Sequence, residues 1–184
     1  MKAAKTTRST KRPRKSKPSG TFPHPSIDHW LDPGDGGKRL EVKDFLSMRF
    51  ANLGALFHRK VTKHYLAPYG IGLPEWRTMT ILAQHAPIST RALRDISEMD
   101  KGQMSRALDI LAERGLIQRN SDATHMVRQV ISITEAGHVL YRKIMPEARR
   151  SQALLLESMT TTERKALHSA LIKLRAVVDD IPED

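Results

Sequence analysis

The chain has 184 residues, enough for one folded domain of about 150 residues and a short extension. Hydrophobic residues make up 39% of it and charged residues 28%, and no apolar run approaches the roughly 18 residues that a membrane-spanning helix needs. We therefore expect a cytoplasmic protein with no membrane partner. It contains no cysteine, which excludes disulfides, thiolate zinc sites and cysteine-based catalysis.

The formal net charge of +11 is concentrated at the N-terminus. Residues 1–27 hold eight Lys and Arg and no acidic residue, and the other 157 residues carry a net charge of only +3. This segment has too few apolar side chains to offset the entropy lost on ordering, so we predict a disordered tail and a Gly-rich linker over 1–38. A phosphate-contacting arm and a solubilising or targeting extension are both open.

The pattern changes at Leu40, where apolar residues begin to recur at three- and four-residue steps. They predict a long amphipathic helix that ends at Pro68 and Gly70. The helix is longer than a small core requires, which indicates packing against another chain. A second helix is expected from Leu73 and Pro74 to about Pro87, buried on nearly all sides.

Two shorter helices follow. Ser89 is a natural N-cap for a helix whose inward residues are Ala92, Leu93 and Ile96. Asp100 is expected to cap the next helix, which runs to Arg114. There the apolar residues fall on one side and the polar ones opposite: Met104, Ala107, Leu108 and Leu111 against Arg106, Asp109 and Glu113. Two such helices joined by a tight turn form a helix-turn-helix.

A hairpin and two long helices complete the pattern. Gly115 is expected to end the helix that Asp100 caps. A polar loop follows over 120–125, and the alternation over 127–133 predicts a strand. Together they indicate a β-hairpin, a wing beside the helix-turn-helix. Thr134 caps a helix that continues past Pro146 with a kink, and Thr160 with Glu163 forms a capping box for the last helix. The predicted fold is mainly α with a small hairpin.

Over roughly Phe45 to Val178 the chain resembles the MarR family of bacterial winged-helix transcription regulators. The matching segments are these: 73–77 (LPEWR), 93–111, 113–119 (ERGLIQR) and 133–137 (ITEAG). The resemblance implies a winged-helix domain over 39–184, with dimerisation helices at 39–70 and 135–184 around a DNA-binding module at 73–133. It also implies a homodimer that places each recognition helix in a major groove of a pseudo-palindromic operator.

Two positions depart from the family pattern. At the wing tip, where members carry Asp-x-Arg, this chain has His125, Met126 and Val127, with Arg128 one place out of register. Gly102 stands in the first turn of the recognition helix, where a polar helix former is usual. This glycine would let the helix end approach phosphates closely.

We expect the DNA contacts to come from the recognition helix, the start of the preceding helix and the wing. Arg106 can bind a guanine edge, or it can form an ion pair with Asp109 or Glu113 on its own helix. The remaining candidates are contacts to phosphates: Ser89, Thr90, Lys101, Gln103, Ser105 and Arg128. Ser89 also has a purely structural role as an N-cap, and Arg128 could simply be solvated.

The resemblance also implies a small-molecule effector, an aromatic carboxylate or its CoA thioester, that releases the operator. Arg49 and Asn52 lie on one flank of the first helix among apolar residues, and Trp76 could supply an aromatic wall, as in pockets with few polar groups. The alternatives are that Arg49 pairs with an acid or extends to solvent, and that Trp76 belongs to the core.

No catalytic or metal-binding motif stands out in the sequence. His58 and His64 are six residues apart and do not share a helix face, and no nucleophile or phosphate-loop motif occurs. We expect no enzyme activity, no cofactor and no metal. The leading hypothesis is a sequence-specific repressor; the alternatives are a nonspecific nucleic-acid architectural protein acting through its basic arm, and a scaffold whose winged domain binds protein.

Overall fold

The computed structural model describes residues 27–121 and 129–182. They belong to two compact units, one ending at Phe50 and the other beginning at Ala51. The helices are α1 (Asp28–Leu31), α2 (Gly34–Gly37), α3 (Leu46–Phe57), α4 (Lys63–Leu66), α5 (Leu73–His85), α6 (Thr90–Ser97), α7 (Lys101–Glu113), α8 (Glu135–Glu157) and α9 (Thr161–Asp179). The strands are β1 (Ile88–Ser89), β2 (Ile117–Ser121) and β3 (Gln129–Ile133).

The first unit contains two short helices, α1 and α2, where the sequence predicted a linker. The indole of Trp30 donates to the carbonyl of Asp44 at 2.8 Å, and Nδ1 of His29 lies 2.8 Å from a carboxylate oxygen of Asp44. Asp44 is buried, and its hydrogen bond with His29 holds the pKa of that carboxyl below its ordinary value. These contacts anchor a segment that its glycines alone would leave extended.

The predicted first helix forms with two local changes. A separate 3₁₀ turn, Val42–Asp44, precedes α3, and a π-helical turn, His58–Thr62, joins α3 to α4. The helical path ends at Gly70, whose φ of +60° is accessible to glycine without strain. The sequence therefore predicted where this helix ends, but α3 begins at Leu46 and not near Leu40, and the π turn was not predicted.

The core of the second unit is built around α5. Its buried residues pack against α6, α7 and α8: Trp76, Met79 and Leu82 meet Leu93, Met104, Leu108, Leu111 and Ile144. The Trp76 ring stacks on Tyr141 with centroids 5.7 Å apart and meets Tyr65 edge-on at 6.3 Å. The predicted burial of α5 is confirmed on the face that carries these residues.

Three antiparallel strands lie beside this core in the order β1, β3, β2. β2 and β3 form the predicted hairpin, with Ile117 opposite Ile133. β1 was not predicted; it adds two residues, with Ile88 opposite Ile131. The loop of the hairpin, 122–128, lies outside the described residues.

The two C-terminal helices begin at the predicted caps. The Thr134 hydroxyl accepts from the Gly137 amide at 3.1 Å, and Thr160 and Glu163 form a complete capping box. The hydrogen bonds that Glu163 accepts from Thr160 lower the pKa of its carboxyl. α8 runs through Pro146 as one helix of 23 residues. Within the described chain, no helix is both long and apolar enough to cross a membrane.

Candidate nucleic-acid interface

The predicted helix-turn-helix is formed by α6 and α7. Ser89 caps α6 by accepting from the Ala92 amide at 3.2 Å, and Asp100 caps α7 by accepting from the Gln103 amide at 2.8 Å. Between them Glu98 has a φ of +52°, which lets the chain turn within three residues. Glu98 also pairs with Arg175 of α9. The prediction that Ile96 faces inward is wrong, because its side chain is 47% exposed.

α7 has the two faces that its periodicity predicted. Met104, Ala107, Leu108 and Leu111 are buried in the core. The candidate DNA-contacting residues of this helix are exposed: Lys101, Gln103, Ser105 and Arg106. Because the apolar face is fixed by packing, α7 presents its polar face to solvent in one orientation.

Arg106 folds back toward the first turn of α7. A Cβ built on Gly102 would lie 3.3 Å from Nη1 of Arg106 and 3.3 Å from a carboxylate oxygen of Asp100. The glycine therefore leaves room for the guanidinium at the N-terminal end of the helix. Asp109 was one of the two acids that could pair with Arg106. It pairs instead with Arg119 of β2, whose Nη2 lies 2.6 Å from Oδ1 of Asp109.

A cleft of about 220 Å³ opens between α6, α7 and β2. Three cations and two hydroxyls line it above two apolar side chains: Arg94, Lys101 and Arg119 with Thr90 and Ser105, above Met104 and Leu108. No carboxylate belongs to its described lining. Hydroxyl, ammonium and guanidinium groups in one cleft are the donors that contact DNA phosphates.

This cleft brings together three of the predicted site residues, Thr90, Lys101 and Ser105. Sequence reasoning missed Arg94 and Arg119. Arg94 could have been found because it lies one helical turn after Thr90. Arg119 carried no such signal, because its place beside α7 depends on how β2 packs. Among the other candidates, the Ser89 hydroxyl is engaged as the N-cap, and Arg128 lies outside the described residues.

The predicted effector residues have different environments. Asn52 is exposed on α3, and Arg49 on the same helix is partly buried. Trp76 is only 6% exposed and packs between Tyr65 and Tyr141 in the core. Their role in binding a ligand stays a prediction. Over 27–121 and 129–182, no group of three His, Asp or Glu residues is arranged to hold a metal.

Comparison with known proteins agrees with this architecture. A sequence model of the MarR family matches residues 69–125. The chain is 28% identical over 102 residues to the HTH-type transcriptional repressor NicR of Pseudomonas putida, a match that spans 55% of this chain and 63% of NicR. The match thus covers less than two thirds of that relative.

Solved structures are similar over most of the chain. A MarR/EmrR family transcriptional regulator from Acinetobacter sp. ADP1 is 27% identical, with a TM-score of 0.69 over 77% of this chain and all of that one. MepR of S. aureus, solved in complex with DNA, is 18% identical, with a TM-score of 0.67 over 72% of this chain and 98% of its own; at that identity the likeness concerns the fold alone. The helix-turn-helix and the β2–β3 hairpin of this chain are thus similar to those of MarR family regulators.

Proposed function

We propose that this protein is a sequence-specific DNA-binding transcription regulator that acts as a repressor. The observation that carries the proposal is the polar face of α7, which carries the exposed Arg106 and lies beside the cationic cleft. Phosphate contacts from the cleft would position α7, and Arg106 would read a base edge in the major groove. NicR, a relative named as a transcriptional repressor, supports the regulatory role.

The proposed active form is a homodimer. α3 and α9 each carry an apolar stripe with the same residue spacing. The stripe of α3 is exposed and consists of Leu46, Phe50, Leu53 and Phe57. The stripe of α9 consists of Leu167, Leu171, Leu174 and Val178, of which only Leu174 is partly buried. Steps of four, three and four residues place each set on one helix face. Such faces bury apolar area when two copies associate, and a two-fold dimer would present two copies of α7 to half-sites about one helical turn apart.

The test compares affinities at one fixed, physiological salt concentration. The full-length protein is titrated against the promoter fragment upstream of its own gene and against random duplex of equal length. We expect a ratio of about 10³ or more in favour of the promoter. A ratio near one would contradict specific recognition and favour the alternative, a nonspecific architectural protein whose basic residues 1–27 supply the affinity.

We further propose that an aromatic carboxylate or its CoA thioester is the effector, with Arg49, Asn52 and Trp76 among its contacts. The support is one partly buried cation, Arg49, on the apolar helix α3. Calorimetry with a panel of aromatic acids and thioesters should detect binding to the wild type and weaker binding to Arg49→Ala. Equal affinities would remove Arg49 from the site, and no binding by either protein would remove the ligand class.

A further inference from the structure

A second cationic cleft lies on the helical segment that leads from α3 to α5, and none of its described lining residues belongs to the helix-turn-helix. Its volume is about 480 Å³. Four basic side chains line it together with Ala67 and Pro68: Arg59, Lys60, Lys63 and His64. All four are exposed, so their charged ends are accessible to a ligand.

The positive charge of this segment is not compensated by neighbours along the chain. From Phe45 to Pro74 the sequence has no Asp or Glu. Within the cleft the basic residues are three and four positions apart, Lys60 with Lys63, Arg59 with Lys63, and Lys60 with His64. Like charges this close along a helix repel one another, and a bound anion would relieve that repulsion.

The usual structural reason for cations near a helix C-terminus is the set of unpaired carbonyls there. Here Arg114 already binds carbonyls at the C-terminus of this helical segment. Its guanidinium donates to the carbonyl of Gly70 at 2.9 Å and to that of Tyr69 at 3.0 Å. The cations of the cleft are therefore not needed to cap those two carbonyls.

The local backbone is also unusual. The π-helical turn His58–Thr62 contains Arg59 and Lys60, and the regular helix resumes at Lys63. Single π turns inside helices occur frequently at functional sites. The irregular turn and the cation cluster thus coincide in one short segment.

We propose that this cleft binds the phosphate groups of a small phosphorylated ligand. Three permanent cations with an adjacent imidazole match a multiply charged oxyanion better than a single carboxylate. Its volume falls within the range of small-molecule sites, and the site is widely open to solvent. Ala67 and Pro68 add an apolar part of the wall, against which the organic portion of the ligand can pack.

The test uses inorganic pyrophosphate as the probe, titrated into the full-length protein by calorimetry at constant ionic strength. The variant is the double substitution Lys60→Gln with Lys63→Gln, and the control is Lys165→Gln with Lys173→Gln, which removes the same charge from exposed positions of α9. We expect affinity to fall about tenfold or more in the variant and to stay unchanged in the control. The N-terminal cations are common to all three proteins, so they cannot produce this difference.

Two further measurements keep the result interpretable. Thermal melts show that the variants are folded, and the NMR signals of the His64 imidazole, assigned with His64→Gln, should shift as pyrophosphate is added to the wild type.

Equal pyrophosphate affinity in variant and control would overturn the proposal. So would a variant that binds pyrophosphate normally but loses more affinity for duplex DNA than the control, because the cluster would then serve the DNA backbone. The proposed DNA recognition can fail without affecting this result.

Discussion

The ion pair between Asp109 and Arg119 determines the charge that α7 presents beside the cationic cleft. The two groups are 2.6 Å apart, and the side chain of Asp109 is 53% exposed. Without its partner this carboxylate would repel DNA phosphates. We expect Arg119→Met to weaken binding to all duplexes, and Asp109→Asn in the same chain to restore part of the loss.

A double-mutant cycle of DNA affinity at fixed salt measures this coupling, which should be about 0.5 kcal/mol or more. Strict additivity of the two substitutions would mean that Arg119 acts on DNA independently of Asp109, or not at all.

Gly102 leaves space that the guanidinium of Arg106 approaches. An alanine there would gain up to about 1 kcal/mol through helix propensity, but its Cβ would also lie 3.3 Å from a carboxylate oxygen of Asp100, the N-cap of α7. The same Cβ would lie within 3.3 Å of the resting guanidinium and displace it. We expect Gly102→Ala to stay folded and to bind the promoter fragment less tightly.

Gly54→Ala on α3 is the matched control, because nothing lies within 4 Å of its added Cβ. It should gain stability with unchanged DNA affinity. Unchanged promoter affinity in Gly102→Ala as well would show that the resting position of Arg106 is irrelevant to binding.

At the scale of elements, the start of α7 depends on one side chain. Asp100 accepts from the Gln103 amide, which would otherwise lack a partner in the first turn. Asp100→Ala should lower the free energy of unfolding by about 1 kcal/mol, and Asp100→Asn by less, since both Asp and Asn cap well. Urea denaturation measures both, and equal losses would contradict the capping role.

The elements that sequence predicted best are those with local signals. Ser89, Asp100, Thr134 and Thr160 all cap the helices expected of them, because a cap is a contact between residues three positions apart. β1 and the helix α1 were missed since each is stabilised by distant residues, β1 by β3 and α1 by Asp44.

The same distinction applies to the candidate site. The polar face of α7 followed from helical periodicity, so Lys101, Ser105 and Arg106 could be named from sequence. Arg119 could not, because it reaches the cleft from a strand ten residues beyond Asp109. Ile96 was misplaced because α6 is short, and periodicity over two turns fixes a face poorly.

At the scale of the whole molecule, the proposed dimer depends on exposed apolar stripes. Leu171 is 45% exposed in the α9 stripe, and none of the residues of this helix is buried in the described chain. We expect Leu171→Arg to remain folded but to shift the protein from dimer to monomer at micromolar concentration, measured by light scattering. Ser169→Arg, on the opposite face of α9, is the control and should stay dimeric. A wild type that is itself monomeric would remove the dimer.

The measurement that tests the central claim most directly is a quantitative footprint on the promoter fragment with three proteins: wild type, Arg106→Ala and Arg150→Ala, whose arginine is exposed on α8. A bidentate arginine contact contributes about 1–3 kcal/mol of base discrimination. We predict that wild type and Arg150→Ala protect the same site with equal affinity, whereas Arg106→Ala melts like the wild type but loses its preference for that site. Identical protection at the same concentrations by Arg106→Ala would contradict the assignment of α7 as the helix that reads DNA.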